Sequence, residues 1–550
     1  MDNRSPPLVT TANLLATIRS LHADSARHQK LLEQVTALLQ KFEPPVATHS
    51  IPAWHPGETG KQLLEQVLAF LQQFDLPVAT PALPVWRPKE TSGVSDLSFA
   101  RKVRRIEGRQ GESVEIVARL KATAIGRFYA SHLKQLPFVR GVVIWLWRNT
   151  YPIYVNHISI ILRNRKTKRW QALIKIGVYS KTMGLTTIQL VNGMVVETPT
   201  PKVFPEGDQG YLESPHDRYK APPIYVATIN KGMIYGGSNL ILTQDGVICH
   251  DLYDFERDYT SEELHGRTLI DPKSSRIRWM LHDESPERLP AAAAFVDACA
   301  ANYAHWLTEV LPRIAAFCAE EQFNGIPIVV NDGLHKNIME SLFLVAGFER
   351  EIITLTIGRA LAVEVLYVTS VAGYVPFERR TNKLSDYSNG VFSPWAFELL
   401  RSNMDAFVVK DNVQGYPEKI FLRRNSGARK VANGAELEKL VVSRGYVMVE
   451  PGELTFVQQV KLFNNANIII SATGAALSNA IFCKPGTQIG ILMGKHKNMS
   501  YRYWCDMLAP IRINVRYVLG NIVENNGLGI HGDFVVDIAD VICLLEAMER

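Results

Sequence analysis

Several absences narrow the chain before any motif is considered. Its 550 residues include six cysteines, Cys249, Cys299, Cys318, Cys483, Cys505 and Cys543, with no CxxC pair and no Cys/His grouping at zinc spacing. A disulfide framework and a structural zinc site are excluded, and reduced, mostly buried thiols in a reducing cytoplasm are expected. No strand is followed by GxGxxG, which argues against a dinucleotide-dependent oxidoreductase. No uninterrupted apolar run approaches the roughly 20 residues a spanning helix needs. The opening segment, MDNRSPPLVTTANLLATIRS, has no apolar core followed by a small-residue cleavage site, so export by a signal peptide is not expected. Excess charge is also scarce. A formal net charge of +6 suits phosphate-bearing partners but is too small and too dispersed for nucleic acid.

What is present fits a multi-domain globular protein. Hydrophobic residues make up 47% and charged residues 21%, near globular averages, and the length calls for two or three folded units. Residues 1–95 contain a duplication: LLEQVTALLQKFEPPVATHSIPAWHPGET from Leu31 returns from Leu63 as LLEQVLAFLQQFDLPVATPALPVWRPKET. Leu31, Val35, Leu38 and Phe42, then Leu63, Val67, Phe70 and Phe74, form one helical stripe per copy, and each helix ends at a proline-rich tail. Such a stripe must be covered, which predicts self-association through 31–74 or packing within the chain. Residues 96–220 read as a linker. Within it, Trp145, Trp147, Tyr151 and Tyr154 lie among arginines ahead of the basic run Arg163–Arg169, so 136–169 is a candidate membrane-interface segment.

Beyond residue 220 the pattern becomes regular. Residues 224–256 alternate apolar and polar and carry Gly-Gly and Asp-Gly turns, predicting a small antiparallel β region. Helices near 302–321, 334–346 and 394–408 then alternate with strands at 326–331 and 364–370. A second series places strands at 419–424, 446–450, 467–472 and 488–493 and helices at 433–444, 455–465 and 475–482. Short buried strands alternating with helices predict an α/β fold with parallel sheets, as two Rossmann-like units facing a cleft. The expected units are 221–390, including the β-rich region, and 391–550.

Three stretches can carry chemistry. In NIIISATGAALSNAIFCKPGT (467–487) a buried strand ends at Ala472, and Thr473, Gly474, Ala475 and Ala476 turn into a helix. Unpaired amides and a positive helix end then face the carboxyl edge of the sheet, as a phosphate seat requires. Arg423 and Arg424 close the strand KIFL and are followed by Arg429 and Lys430; guanidinium groups there can grip phosphate oxygens. In NYAHWLTEVLPR (302–313), His305 and Glu309 stand four apart, so a carboxylate can orient an imidazole that accepts a proton from a sugar hydroxyl.

Taken together, NYAHWLTEVLPRI, FLRRNSGARKVANGAEL and LTFVQQVKLFNNANIIISATGAALSNAIFCKPGT resemble glycosyltransferase family 61 over roughly residues 225–520. The resemblance implies a GT-B architecture, inversion at the anomeric carbon, no cofactor and no bound metal. By position it puts Asn302, Tyr303 and Trp306 on the acceptor side with His305. It puts Arg424, Arg429, Asn433, Thr473, Gly474, Ala475, Ala476 and Asn479 on the donor side. Two positions depart from the pattern. Thr473 stands where the family commonly has histidine, and Ile489-Gly490-Ile491 stands where an acidic residue commonly holds a ribose, leaving Glu453 or Asn479 to replace it.

The expected activity is transfer from a nucleotide-sugar donor to a glycan or lipid-linked acceptor in bacterial surface polysaccharide synthesis. His305 and Glu309 would be catalytic, and the protein cytoplasmic or peripheral at the inner membrane face. With no DxD motif in a plausible loop, arginines and helix amides would do the work of a divalent ion. The competing expectation is a non-catalytic sugar-nucleotide-binding or scaffold protein of a polysaccharide assembly complex.

Overall fold

Runs of β-branched residues are buried along their whole length in both halves of the chain, as in Ile328–Asn331, Ile352–Leu355 and Ile468–Ala472. Strands hidden on both faces belong to parallel sheets covered by helices. The structure, a computed structural model, describes residues 85–88, 103–106, 170–214, 217–254, 267–271, 273–279, 285–375, 390–410, 415–424, 429–496, 499–523 and 532–550. The duplicated helices of 31–74 and the aromatic and basic stretch 136–169 lie outside the described residues.

The first sheet has a parallel centre, with Ile352–Leu355, Ile328–Asn331, Glu287–Ala294 and Ala360–Thr369 as neighbours in that order. Val103–Ile106 extends one edge in parallel. On the other side Ile224–Tyr235 pairs antiparallel with Ala360–Thr369 along nearly its full length. The β region expected within 221–390 thus shares one sheet with the first parallel strands. This pairing covers a long strand that would otherwise present an open edge. Two central strands were not foreseen. Glu287–Ala294 reads ERLPAAAA, where proline and alanines hide the strand signal, and Ile352–Leu355 is only four residues long.

The second sheet is parallel across Val447–Val449, Lys419–Leu422, Ile468–Ala472, Gln488–Gly494 and Asn514–Ile522. Phe534–Val535 adds an antiparallel strand. Lys202–Phe204, from the stretch read as a linker, joins in parallel beside Asn514–Ile522. Trp86 donates its backbone N–H to the Met448 carbonyl at 2.7 Å and packs its ring on Tyr416. One apolar cluster runs through both sheets, from Val226, Phe295 and Leu311 to Ile469, Leu477 and Tyr517. Among the described residues no helix is long and apolar enough to cross a membrane.

Candidate active site

The segment carrying His305 begins with a cap. Asn302 accepts the Ala304 N–H through its side chain at 3.0 Å and starts one α-turn, Tyr303–His305. A π-turn follows over Trp306–Val310, then the helix Leu311–Cys318. Pro312 supplies the cause: it has no N–H for the Thr308 carbonyl, so the regular ladder cannot continue there. That carbonyl instead presses on Gly373, where any Cβ would collide with it.

His305, Glu309 and Arg313 follow at four-residue steps, and all three line a cleft beyond the carboxyl ends of Glu287–Ala294 and Ala360–Thr369. His305 Nδ1 contacts Glu309 Oε1. Arg313 donates from Nε to the Glu309 carbonyl at 2.9 Å and from Nη2 to Asp297 Oδ2 at 3.2 Å. Asp297 also accepts the Cys299 N–H at 2.9 Å, and Asn331 grips its backbone from both sides. Burial alone would lower the basicity of His305. The carboxylate of Glu309, and beyond it Asp297, outweigh burial and raise its pKa to about 8. In the neutral ring the Nδ1 proton faces Glu309, so the lone pair sits on Nε2, the arrangement a general base requires.

Of the residues expected on the donor side, Arg424, Arg429, Thr473 and Gly474 come together. Arg424 Nη1 donates to the Thr473 carbonyl at 2.7 Å and lies so close to Gly474 that a Cβ there would collide with it. Gly474 has φ 178°, extended backbone open to any residue, so close approach and not conformation demands glycine. Burial, then the neighbouring Arg429, pulls the Arg424 pKa down to about 10. Arg429 is likewise lowered by burial, sits at φ 57°, and keeps its Nε buried without a hydrogen-bond partner among the described residues. Two partly desolvated guanidinium groups, with Asp533 as the nearby carboxylate, stand beside a strand-to-helix turn and can receive an anion. The helix expected at 475–482 is present as the 3-10 helix Ala475–Phe482. Its period of three aligns Leu477, Ala480 and Cys483, all fully buried.

The other residues named from sequence make the following contacts. Asn433 exchanges two hydrogen bonds with the backbone of Val536, at 2.8 and 3.1 Å. Trp306 is fully buried and donates its indole N–H to Ser341 Oγ at 2.8 Å. Arg423 is held by Glu438 through two bonds, at 2.9 and 2.7 Å. Glu453 faces Arg87 at 3.5 Å, and Ile489 and Ile491 are sheet core. Thr473 accepts from the Trp504 indole at 3.0 Å. Tyr303 donates to Asn479 Oδ1 at 2.8 Å, while Asn479 donates to Gln459 Oε1 at 2.7 Å. Through this chain the turn carrying His305 packs directly on the 3-10 helix that follows Gly474.

Asp297, Arg313, Gln459 and Trp504 were not picked out from sequence. Arg313 was legible, being the next four-residue step after His305 and Glu309. Asp297 lies in an alanine-rich loop and carries no local signal.

In a mixed α/β chain, the segment carrying His305 and Glu309 thus packs on the strand-to-helix turn beside Arg424 and Arg429. Residues 303–490, about a third of the chain, match the family model described as Glycosyltransferase 61. No curated protein matches the chain. The region supports glycosyl transfer, with a donor and an acceptor as substrates.

Proposed function

We propose that the protein is an inverting glycosyltransferase of GT-B type that uses a nucleotide-sugar donor and needs no metal ion. The acceptor hydroxyl attacks the anomeric carbon while the bond from that carbon to the diphosphate oxygen breaks on the opposite face. His305 Nε2 takes the hydroxyl proton, and Glu309 stabilises the imidazolium formed. Arg424, Arg429 and the amides of Ala475 and Ala476 take up the charge growing on the leaving diphosphate. Asn302, Tyr303 and Trp306 support the acceptor side by fixing the helix that bears His305. Asn433 and Asn479 frame the donor side in the same indirect way, and Thr473 lends its carbonyl to Arg424.

The observation that carries this reading is the bond from Arg424 to the Thr473 carbonyl, beside Gly474 and Arg429, on a turn packed against the segment of His305. The test is sugar transfer by His305→Ala and Arg424→Ala proteins, with and without chelator. Each variant should lose at least about 100-fold, and chelator should change nothing. Full activity in both variants, or loss with chelator alone, removes the scheme.

A glycan or lipid-linked acceptor in bacterial surface polysaccharide assembly fits this chemistry, at the inner membrane face if 136–169 binds lipid. Self-association through 31–74 would belong to the same setting. The second reading, a non-catalytic scaffold, is favoured by Thr473, whose hydroxyl is engaged by Trp504, and by Ile491 in the sheet core. Donor hydrolysis or transfer by the purified protein separates the two readings; nucleotide binding alone does not.

A further inference from the structure

Resting on the transfer reading above, we propose that the cleft beside His305 receives the acceptor as an uncharged sugar ring, oriented by a hydrogen bond to the His250 imidazole. His250 lines the same cleft as His305 and has no part in the mechanism described. It follows the strand Val247–Cys249, and its ring is flanked by those of Tyr374 at 4.7 Å and Tyr253 at 5.5 Å, which also line the cleft.

Among the described residues, the charged side chains that line the cleft are paired with each other. His305 faces Glu309, and Arg313 faces Asp297 at 3.2 Å. A carboxylate or phosphate entering here would have to separate one of these pairs, whereas a hydroxyl would not. His250 adds no charge. Burial, then Arg313 and Lys175, lowers its pKa to about 3, so the ring is neutral at any working pH. A neutral imidazole offers one donor and one acceptor, the complement of a hydroxyl, which also does both. Nδ1 of His250 is buried with no hydrogen-bond partner among the described residues, an unmet polar atom in the wall of this cleft.

The test uses the full chain and a set of small probes: methyl glycosides of neutral hexoses and pentoses, a methyl glucuronide, and a hexose 6-phosphate. Binding is followed by ligand-observed NMR. Neutral glycosides should bind better than both anions. His250→Phe should weaken them about tenfold or more, while His250→Gln, which keeps a donor and an acceptor, should retain most of the affinity. In protein with 15N-labelled histidine, the ring signal lost in His250→Gln should move when a neutral glycoside is added to the wild type. That measurement decides the matter if His250→Phe does not fold.

Stronger binding of an anion, an unmoved His250 signal, wild-type affinity in His250→Phe, or no binding of neutral glycosides at millimolar concentration overturns the inference. Nucleoside diphosphate binding, measured separately, distinguishes this failure from failure of the donor site, since His250 variants should leave it unchanged.

Discussion

His305 is held between two opposed influences, and their balance sets a pH dependence. Burial favours the neutral ring, and Glu309 favours the cation strongly enough to bring the pKa to about 8. A base must start neutral, so kcat/KM should rise about tenfold per pH unit below that value and level off above it. In Glu309→Gln the burial effect is left largely unopposed. The limb should move to lower pH, and the plateau should fall because the tautomer is no longer fixed; a pH–rate profile of both proteins checks this. The same shift bears on stability with a defined sign. A histidine whose folded pKa exceeds the unfolded 6.5 contributes stability fully below that value, and loses it as pH rises through about 8. On the order of 1 kcal/mol is at stake for so buried a pair, and Glu309→Gln should remove that pH dependence from the denaturation midpoint. Gly474 gives a second prediction at this scale. A methyl group there displaces Arg424 Nη1, the mobile end of its side chain, so Gly474→Ala should fold normally yet bind nucleoside diphosphates about tenfold or more weakly. Calorimetric titration beside an unchanged melting curve tests it; undiminished affinity would remove Arg424 from the donor site.

At the level of elements, the π-turn links backbone chemistry to the position of Glu309. Pro312 releases the Thr308 carbonyl, the turn widens, and that carbonyl rests against Gly373 at the start of a short strand pair. Gly373→Ala sets a side chain against backbone that cannot swing away. A loss of about 1–3 kcal/mol is expected in urea denaturation, with lower activity because Glu309 is carried on the same turn. Here the limits of sequence reading have physical causes. Periodicity placed helices at 334–346, 394–408 and 455–465 and strands at 419–424 and 467–472, close to the observed 336–346, 394–410, 456–465, 419–422 and 468–472, because each buries a regular face. It passed over Glu287–Ala294, whose proline and alanines carry little strand signal. It could not foresee a π-turn, which proline and a distant glycine produce jointly. Motif order brought His305, Arg424 and Gly474 to notice, but the partner of Arg313, Asp297, comes from a separate loop that only the fold supplies.

Across the whole molecule, the two sheets are joined where the family motifs meet, so cohesion and the site draw on the same residues. Glu340, on the helix Lys336–Ala346, accepts the backbone N–H groups of Phe456 and Val457 at 2.9 and 3.3 Å, capping a helix of the second half. Asn337 adds a bond to the Leu454 carbonyl at 2.9 Å. Closest to the chemistry, the Tyr303 hydroxyl, Asn479 and Gln459 form a buried relay between the His305 turn and the helix after Gly474. In such a relay each lost partner strands another polar group away from water. Tyr303→Phe and Asn479→Ala should each cost about 1–3 kcal/mol in denaturant. The double variant should cost less than their sum, with a coupling of about 0.5–3 kcal/mol, because the bond they share can be lost only once. Kinetics should show the same coupling, since a loosened contact misplaces His305 relative to the anion seat: each single change should lower kcat, and the second should add little to the first. Strict additivity in both measurements would mean that the relay does not tie the base to the donor turn.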